Sequence, residues 1–203
     1  MITIINYGLG NIAAFLNVFK RLDIPASIAT NPDQIKDAKK IILPGVGSYD
    51  YALKLLKRSR MKEELEQKVL NEGVPVLGVC VGMQIMSRLS EEGNDSGLNW
   101  IPGEVLKFKE SDIPFRTKTP HMGWNEVKPL SNNELFKGLG QNPEFYFLHS
   151  YYYSTERSYS ISQTTHGIEF TSAINRENIY GVQFHPEKSH EYGEILLKNF
   201  ANL

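Results

Sequence analysis

The sequence predicts an α/β fold: an open, mainly parallel mixed sheet with helices on both faces. Three observations point there. Strand-like and helix-like segments alternate through about the first ninety residues, and that alternation is how parallel strands are joined. Residues 74–79 are almost wholly apolar, as in a strand covered on both sides. The second half is richer in strands than in helices, which adds a mixed portion to the sheet.

Residues 2–6 form a short apolar strand, and Tyr7-Gly8-Leu9-Gly10-Asn11 turns the chain. Ile12, Phe15, Leu16, Phe19 and Leu22 recur at three- and four-residue spacing on one helical face. Asn31-Pro32 pairs a cap with proline at a first helical position. Residues 40–43 are a second buried strand, ended by Pro44-Gly45-Val46-Gly47. A helix runs from Tyr51 to Leu56, and another carries Met61, Leu65 and Val69, with Glu64 and Lys68 spaced for an i,i+4 pair. Gly73 stops it. The strand at 74–79 follows, and the chain from Gly82 turns helical through Met83, Ile85 and Met86. Further strands are expected at 104–108, 124–128, 144–151, 167–174 and 179–184, with a closing helix at 193–200. No repeat, low-complexity tract or linker interrupts the pattern, so a single domain spanning 1–203 is expected.

Composition excludes several classes. With 41% hydrophobic and 22% charged residues, the chain is ordinary for a globular domain. Its 22 basic and 23 acidic residues give a formal charge of -1, with no basic excess to attract nucleic acid. No apolar run has the length of a membrane span. The first residues lack a charged leader and cleavage site, so they read as a strand and not as a signal peptide. One cysteine permits no internal disulfide, and a reducing cytoplasm is expected.

That cysteine sits in Leu77-Gly78-Val79-Cys80-Val81-Gly82, between two glycines where a buried strand turns into a helix. This is the layout of a nucleophile elbow, with sulfur in place of a serine oxygen. A strained backbone position needs small neighbours, and the following helix aims its N-terminal amides and dipole at the sulfur, favouring a thiolate. The Val81 amide is placed to donate to an oxyanion. A lone cysteine beside an apolar strand is also a common core residue, so the elbow alone leaves both readings open.

A second stretch, Tyr180-Gly181-Val182-Gln183-Phe184-His185-Pro186-Glu187, ends an apolar strand in His-Pro-Glu. Residues two apart in extended chain face the same side, so His185 and Glu187 are expected at one site. A carboxylate beside an imidazole fixes its tautomer and stabilises the imidazolium. A histidine and glutamate at a strand end can also be plain surface residues. His121, His149, His166, His185 and His190 show no zinc-ligand spacing with the cysteine, so neither a metal nor another cofactor is expected.

The chain resembles the class I (triad) glutamine amidotransferases over essentially its whole length, and within them the glutaminase subunits of imidazole glycerol phosphate synthases. The resemblance rests on Tyr7-Gly8-Leu9-Gly10-Asn11, Leu43-Pro44-Gly45-Val46-Gly47, Gly78-Val79-Cys80-Val81-Gly82-Met83-Gln84, Pro120-His121-Met122-Gly123-Trp124-Asn125, Phe147-Leu148-His149-Ser150-Tyr151, and Gly181-Val182-Gln183-Phe184-His185-Pro186-Glu187-Lys188-Ser189. It implies a flavodoxin-like fold with Cys80 as nucleophile, His185 as general base and acid, and Glu187 as its orienter. It further implies oxyanion amides from Val46 and Val81, and a glutamine site around Gly47, Gln84, His149, Ser150 and Tyr151. Asn11, His121, Trp124, Tyr146 and Lys188 would lie near the face that meets a synthase partner.

The implied activity is hydrolysis of glutamine to glutamate and ammonia. The ammonia would go to a (β/α)8 cyclase in a heterodimer of histidine biosynthesis. A paralogous role is an alternative, in which the ammonia aminates a sugar for surface polysaccharide. Asn99, Trp100 and Tyr49 depart from the residues usual at their positions, and they bear on the partner more than on the chemistry.

Overall fold

The computed structural model describes residues 1–114 and 119–203. Thirteen strands are present among the described residues. They are β1 (Ile2–Ile5), β2 (Ala26–Ala29), β3 (Ile41–Gly45), β4 (Val76–Cys80), β5 (Leu89–Ser90), β6 (Glu104–Lys107), β7 (His121–Glu126), β8 (Lys128–Pro129), β9 (Glu144–His149), β10 (Tyr151–Ser154), β11 (Ser160–His166), β12 (Ile168–Arg176) and β13 (Ile179–Val182). The α-helices are α1 (Ile12–Arg21), α2 (Tyr49–Arg58), α3 (Lys62–Glu66), α4 (Val81–Gln84) and α5 (His190–Asn202).

The main sheet runs β2-β1-β3-β4-β13-β12-β10-β6-β5, with β11 pairing β12 and β8 pairing β11. From β2 to β13 every pairing is parallel; β12, β10 and β6 continue antiparallel. Every residue of β1, β3 and β4 is buried, so the parallel half is covered on both faces. Helix α1 packs on α5, and α2 on α4. A separate antiparallel ribbon pairs β7 with β9 and sets His121 opposite His149.

Helix α1 begins as its sequence dictates. The Asn11 side chain accepts the Ala14 amide at 3.2 Å, satisfying a donor the first turn cannot, and Phe15, Val18 and Phe19 are buried. The 3₁₀ turn Pro32–Gln34 is capped by Asn31 in the same way.

Several expectations are corrected. Lys68 pairs with Glu72 at 2.6 Å and not with Glu64, because the α-helix ends at Glu66 and a wider π turn covers Gln67–Asn71. The helix after Cys80 lasts four residues. The strand expected at 144–151 breaks at Ser150 into β9 and β10, and the one at 124–128 starts earlier, at His121. Strands β2 and β11 were not legible. Strand β2 is short and half-exposed, while β11 is polar yet buried, with Ser160 bonded to Thr171 and Ser162 to Ser172 across the ladder.

Strands β1, β3, β4 and β13 run in one direction, so the segments that follow them share one end of the sheet. These are the Tyr7, Val46, Cys80 and His185 segments. In open parallel sheets, the crevice outside the carboxyl ends is where ligands bind.

Candidate active site

Cys80 has φ 56 and ψ -114, a backbone region that side chains other than glycine occupy only under strain, of order 1–3 kcal/mol. Its surroundings explain how it is held. A Cβ on Gly78 would lie 2.6 Å from the Met86 methyl and 2.7 Å from the Gly82 carbonyl oxygen. A Cβ on Gly82 would overlap the Leu43 carbonyl, and one on Gly45 would overlap the Gly82 amide. The turn after β4 thus touches the end of β3 backbone to backbone. Only glycine permits that approach.

With α4 only four residues long, the macrodipole argument loses force. What remains is local: Val81 is the first residue of α4, and its N–H has no acceptor within the helix.

His185 lies 1% exposed, three residues past β13, which ends at Val182 and not at 184 as expected. Its Nδ1 is 2.9 Å from Glu187 Oε1, which leaves Nε2 for the sulfur. The contact is as expected, but the reason differs. Pro186–Lys188 is a 3₁₀ turn, so the two side chains meet by the chain folding back and not by strand alternation. Ser189 locks this turn: its hydroxyl donates to the His185 carbonyl at 2.6 Å and accepts the Tyr146 amide at 3.0 Å. Burial disfavours the imidazolium, yet hydrogen bonding to Cys80 and Glu187 outweighs it, and the His185 pKa is pushed up to about 10. Glu187 Oε2 is buried without a hydrogen-bond partner, so no other donor draws on the charge that faces His185.

These groups open onto a cavity of about 290 Å³. Val46, Gly47, Cys80, Val81, Gln84, His149, Ser150, Tyr151 and His185 all line it, as does Lys188. The resemblance had assigned Lys188 to the partner face. Asn11, His121, Trp124, Tyr146 and Glu187 are not in the lining. Asn11 caps α1. His121 is only 4% exposed, too buried to be a contact surface itself. Trp124 is 47% exposed and stacks on His190 at 5.2 Å, while Lys188 Nζ sits 5.6 Å from the centre of the Tyr146 ring.

Sequence reasoning missed four contributors. Glu92 brings a carboxylate into the lining, where it accepts the Tyr49 amide at 2.9 Å. Burial leads the causes that hold its pKa above the usual range. Its sequence neighbourhood, Ser90-Glu91-Glu92-Gly93, reads as a surface turn, so no local signal marks it. Tyr7 donates to the Pro44 carbonyl at 2.8 Å and pins the segment that carries Val46; burial and then the nearby Cys80 raise its pKa. The Gln183 side chain donates to Cys80 Sγ at 3.8 Å, and the Gln84 amide donates to Gln183 Oε1 at 3.0 Å. Ser189 stood in a recognisable motif with no role attached. Among the described residues no cluster of three or more histidine, cysteine or acidic side chains could hold a metal.

A buried cysteine at a strained turn, a histidine whose charge a carboxylate favours, and a cavity in front are the arrangement that nucleophilic hydrolysis requires. Such a site occurs on several families. The model of the family described as glutamine amidotransferase class-I matches residues 3–202. The chain belongs to this family. Class I amidotransferases are glutaminases, and the chain is an enzyme of that kind. Imidazole glycerol phosphate synthase subunit HisH of Bdellovibrio bacteriovorus is 50% identical over 204 residues, covering 100% of both chains. The protein of the same name from Leptospira borgpetersenii is 48% identical over the same span. Among solved structures, the crystal structure of a glutamine amidotransferase superposes with a TM-score of 0.76 at 15% identity, over 100% of this chain and 99% of that one. This supports the fold alone.

Proposed function

We propose that the chain is the glutaminase subunit of an imidazole glycerol phosphate synthase, working in the cytoplasm and in histidine biosynthesis. The observation that carries the chemistry is the meeting of Cys80, at its strained turn, with the His185–Glu187 pair at one cavity. Its relatives named HisH, matched end to end, support the pathway.

Cys80 Sγ attacks the side-chain carbonyl carbon of glutamine. The C=O π pair moves to oxygen, and the Val81 N–H, joined by the Val46 N–H, holds that oxyanion. Losing one such donor costs on the order of 10²–10³ in rate. The oxyanion collapses, the C–N bond breaks, and His185 delivers its proton to the departing ammonia. A γ-glutamyl thioester remains. His185 then takes a proton from water as its oxygen attacks the thioester carbon; the C–S bond breaks, glutamate is released, and Cys80 is returned as the thiolate beside the protonated imidazole. Glu187 keeps the imidazole oriented. Gln84, Ser150 and Tyr151 hold the substrate, and the Glu92 carboxylate complements its α-ammonium.

Ammonia loses its nucleophilicity on protonation in water, so a receiver must dock close by. The face with Met122, Trp124 and Leu148, exposed by 63%, 47% and 39%, fits a (β/α)8 cyclase partner. Trapping decides the chemistry. Intact-mass analysis during turnover should show a γ-glutamyl adduct on the wild-type chain and none on Cys80→Ala; turnover of glutamine by a folded Cys80→Ala chain would end the proposal. Co-purification with, and activation by, the cyclase subunit of an imidazole glycerol phosphate synthase from the same organism test the pathway. Activation by a sugar-aminating synthase in its place would favour the paralogous role.

A further inference from the structure

Of the three buried histidines outside the proposed chemistry, His121 and His149 form a chain whose direction the hydrogen bonds dictate. His149 Nδ1 is 2.7 Å from the Tyr151 carbonyl oxygen. A carbonyl only accepts, so His149 carries its proton on Nδ1, and a neutral ring then offers Nε2 as an acceptor. His121 Nδ1 lies 2.9 Å from that Nε2 and must donate to it. His121 Nε2 is thereby left to accept, and Asn125 Nδ2 lies 3.0 Å away. The Asn125 amide is itself oriented: Nδ2 donates to the Thr165 carbonyl at 2.9 Å, and its oxygen accepts the Glu126 amide at 2.8 Å. Every assignment agrees from one end to the other: accepting at Nε2 requires His149 to be neutral toward His121, and His121 to be neutral toward Asn125. A proton added to His149 Nε2 would point at the Nδ1–H of His121.

The surroundings enforce that state. Phe147 stacks on His121 with centroids 4.7 Å apart, and Phe108 and Phe170 pack within 5.4 Å of His149. The titratable groups that face the two rings are His166, stacked on His121 at 4.3 Å, and His185. Burial first, then His149 and His166, bring His121 down to about 2; burial likewise brings His149 down to about 3, against the Tyr151 bond that favours its charged form and with His166 and His185 adding to the fall.

The chain ends at the cavity. Residues 148–151 are one of its walls, and the Tyr151 carbonyl also accepts from Gln84 at 3.1 Å. We propose that His121, oriented by Asn125, is a positioning residue that keeps His149 neutral and thereby fixes the wall against which glutamine binds. This rests on the glutaminase reading, and it assigns His121 an inward task in place of partner contact.

Two measurements test it. The first is ¹⁵N NMR of the wild-type imidazoles, which needs no turnover. Both His121 and His149 should remain neutral and Nδ1-protonated from pH 8 to about pH 5, well below the ordinary midpoint of about 6.5. Titration of either ring inside that range, or an Nε2-protonated His149, overturns the chain even if glutaminase activity is robust. The second is steady-state glutaminase kinetics in the presence of the synthase subunit. His121→Phe keeps the stacking but removes the donor. It should raise KM for glutamine about tenfold with kcat within about twofold, and the rise should steepen as pH falls and His149 gains a proton. His121→Asn, which places an amide N–H near the former Nδ1, should recover most of the loss. A pH-independent fall in kcat with unchanged KM would assign His121 a merely structural role. Absent glutaminase activity in the wild type would instead sink the functional reading, leaving the NMR result to judge the chain.

Discussion

His185 and His149 are both buried, and both face the same cavity, yet their proton affinities go opposite ways: up to about 10 for one, down to about 3 for the other. Burial penalises the charge in both. The difference is what stands next to each ring. His185 has a carboxylate at 2.9 Å and the Cys80 sulfur, whereas His149 has a carbonyl on one side and a neutral imidazole on the other. Desolvation sets a common cost, and the anion decides whether it is overcome. The same side chain is thus held charged at one wall and uncharged at the other.

The largest test of that contrast is Glu187→Gln, which keeps the shape and removes the anion. By analogy with removing a triad carboxylate, kcat should fall by on the order of 10³–10⁴, and the His185 resonance should titrate lower than in the wild type. A His185 titration unmoved in the variant would mean that the carboxylate is not what holds the charge.

Stability against pH sharpens the comparison further. His121 and His149 are lowered, so between about 6.5 and about 3 the unfolded chain binds protons that the folded chain refuses. Stability should therefore fall as pH drops, by about 1.4 kcal/mol per pH unit for each ring. His185 is raised, so its contribution is fully present below about 6.5 and is lost as pH rises through about 10. Urea melts across pH should show His121→Phe flattening the acid limb and Glu187→Gln flattening the alkaline one. Exchanged or identical effects would break the assignment.

The reciprocal substitution, Asn125→Asp, brings an anion to the neutral side. His121 should then titrate above its wild-type value, read by NMR; if it stays where it was, proximity of a carboxylate is not sufficient. The smallest effect concerns the turn itself. Glycine tolerates φ 56 and alanine does not, so Cys80→Gly should melt above Cys80→Ala by an amount corresponding to about 1 kcal/mol. Equal melting temperatures would show that the turn stores no strain.

Much of this was legible from short motifs. Gly-Val-Cys-Val-Gly announced the turn because glycine is required where backbones touch, and His-Pro-Glu announced the pair because both members lie within one short segment. The parallel half of the sheet was legible because its strands are uniformly apolar. What escaped notice depends on long-range packing. Glu92 reaches the cavity through a bond to Tyr49, forty-three positions away, and the His121–His149 contact exists only because β7 and β9 pair. Strand β11 escaped because its buried face carries Ser160, Ser162 and Thr164, a polar set that mimics a surface pattern; Ser160 and Ser162 bond to Thr171 and Ser172 on the opposite strand, while the Thr164 hydroxyl is buried without a partner.

The backbone contact among Gly45, Gly78 and Gly82 has a consequence for mutational scanning. In a library that records cellular abundance and growth separately, substitutions at these glycines should lower both readouts together, because a side chain at Gly45 or Gly82 pushes the turn after β4 off the end of β3 and one at Gly78 meets Met86 and the Gly82 carbonyl. Substitutions at Cys80 should abolish growth while leaving abundance intact, and glycine there should sit at the high end of abundance. A scan that records growth alone would score all four positions as equivalent, and the scaffold would be mistaken for chemistry.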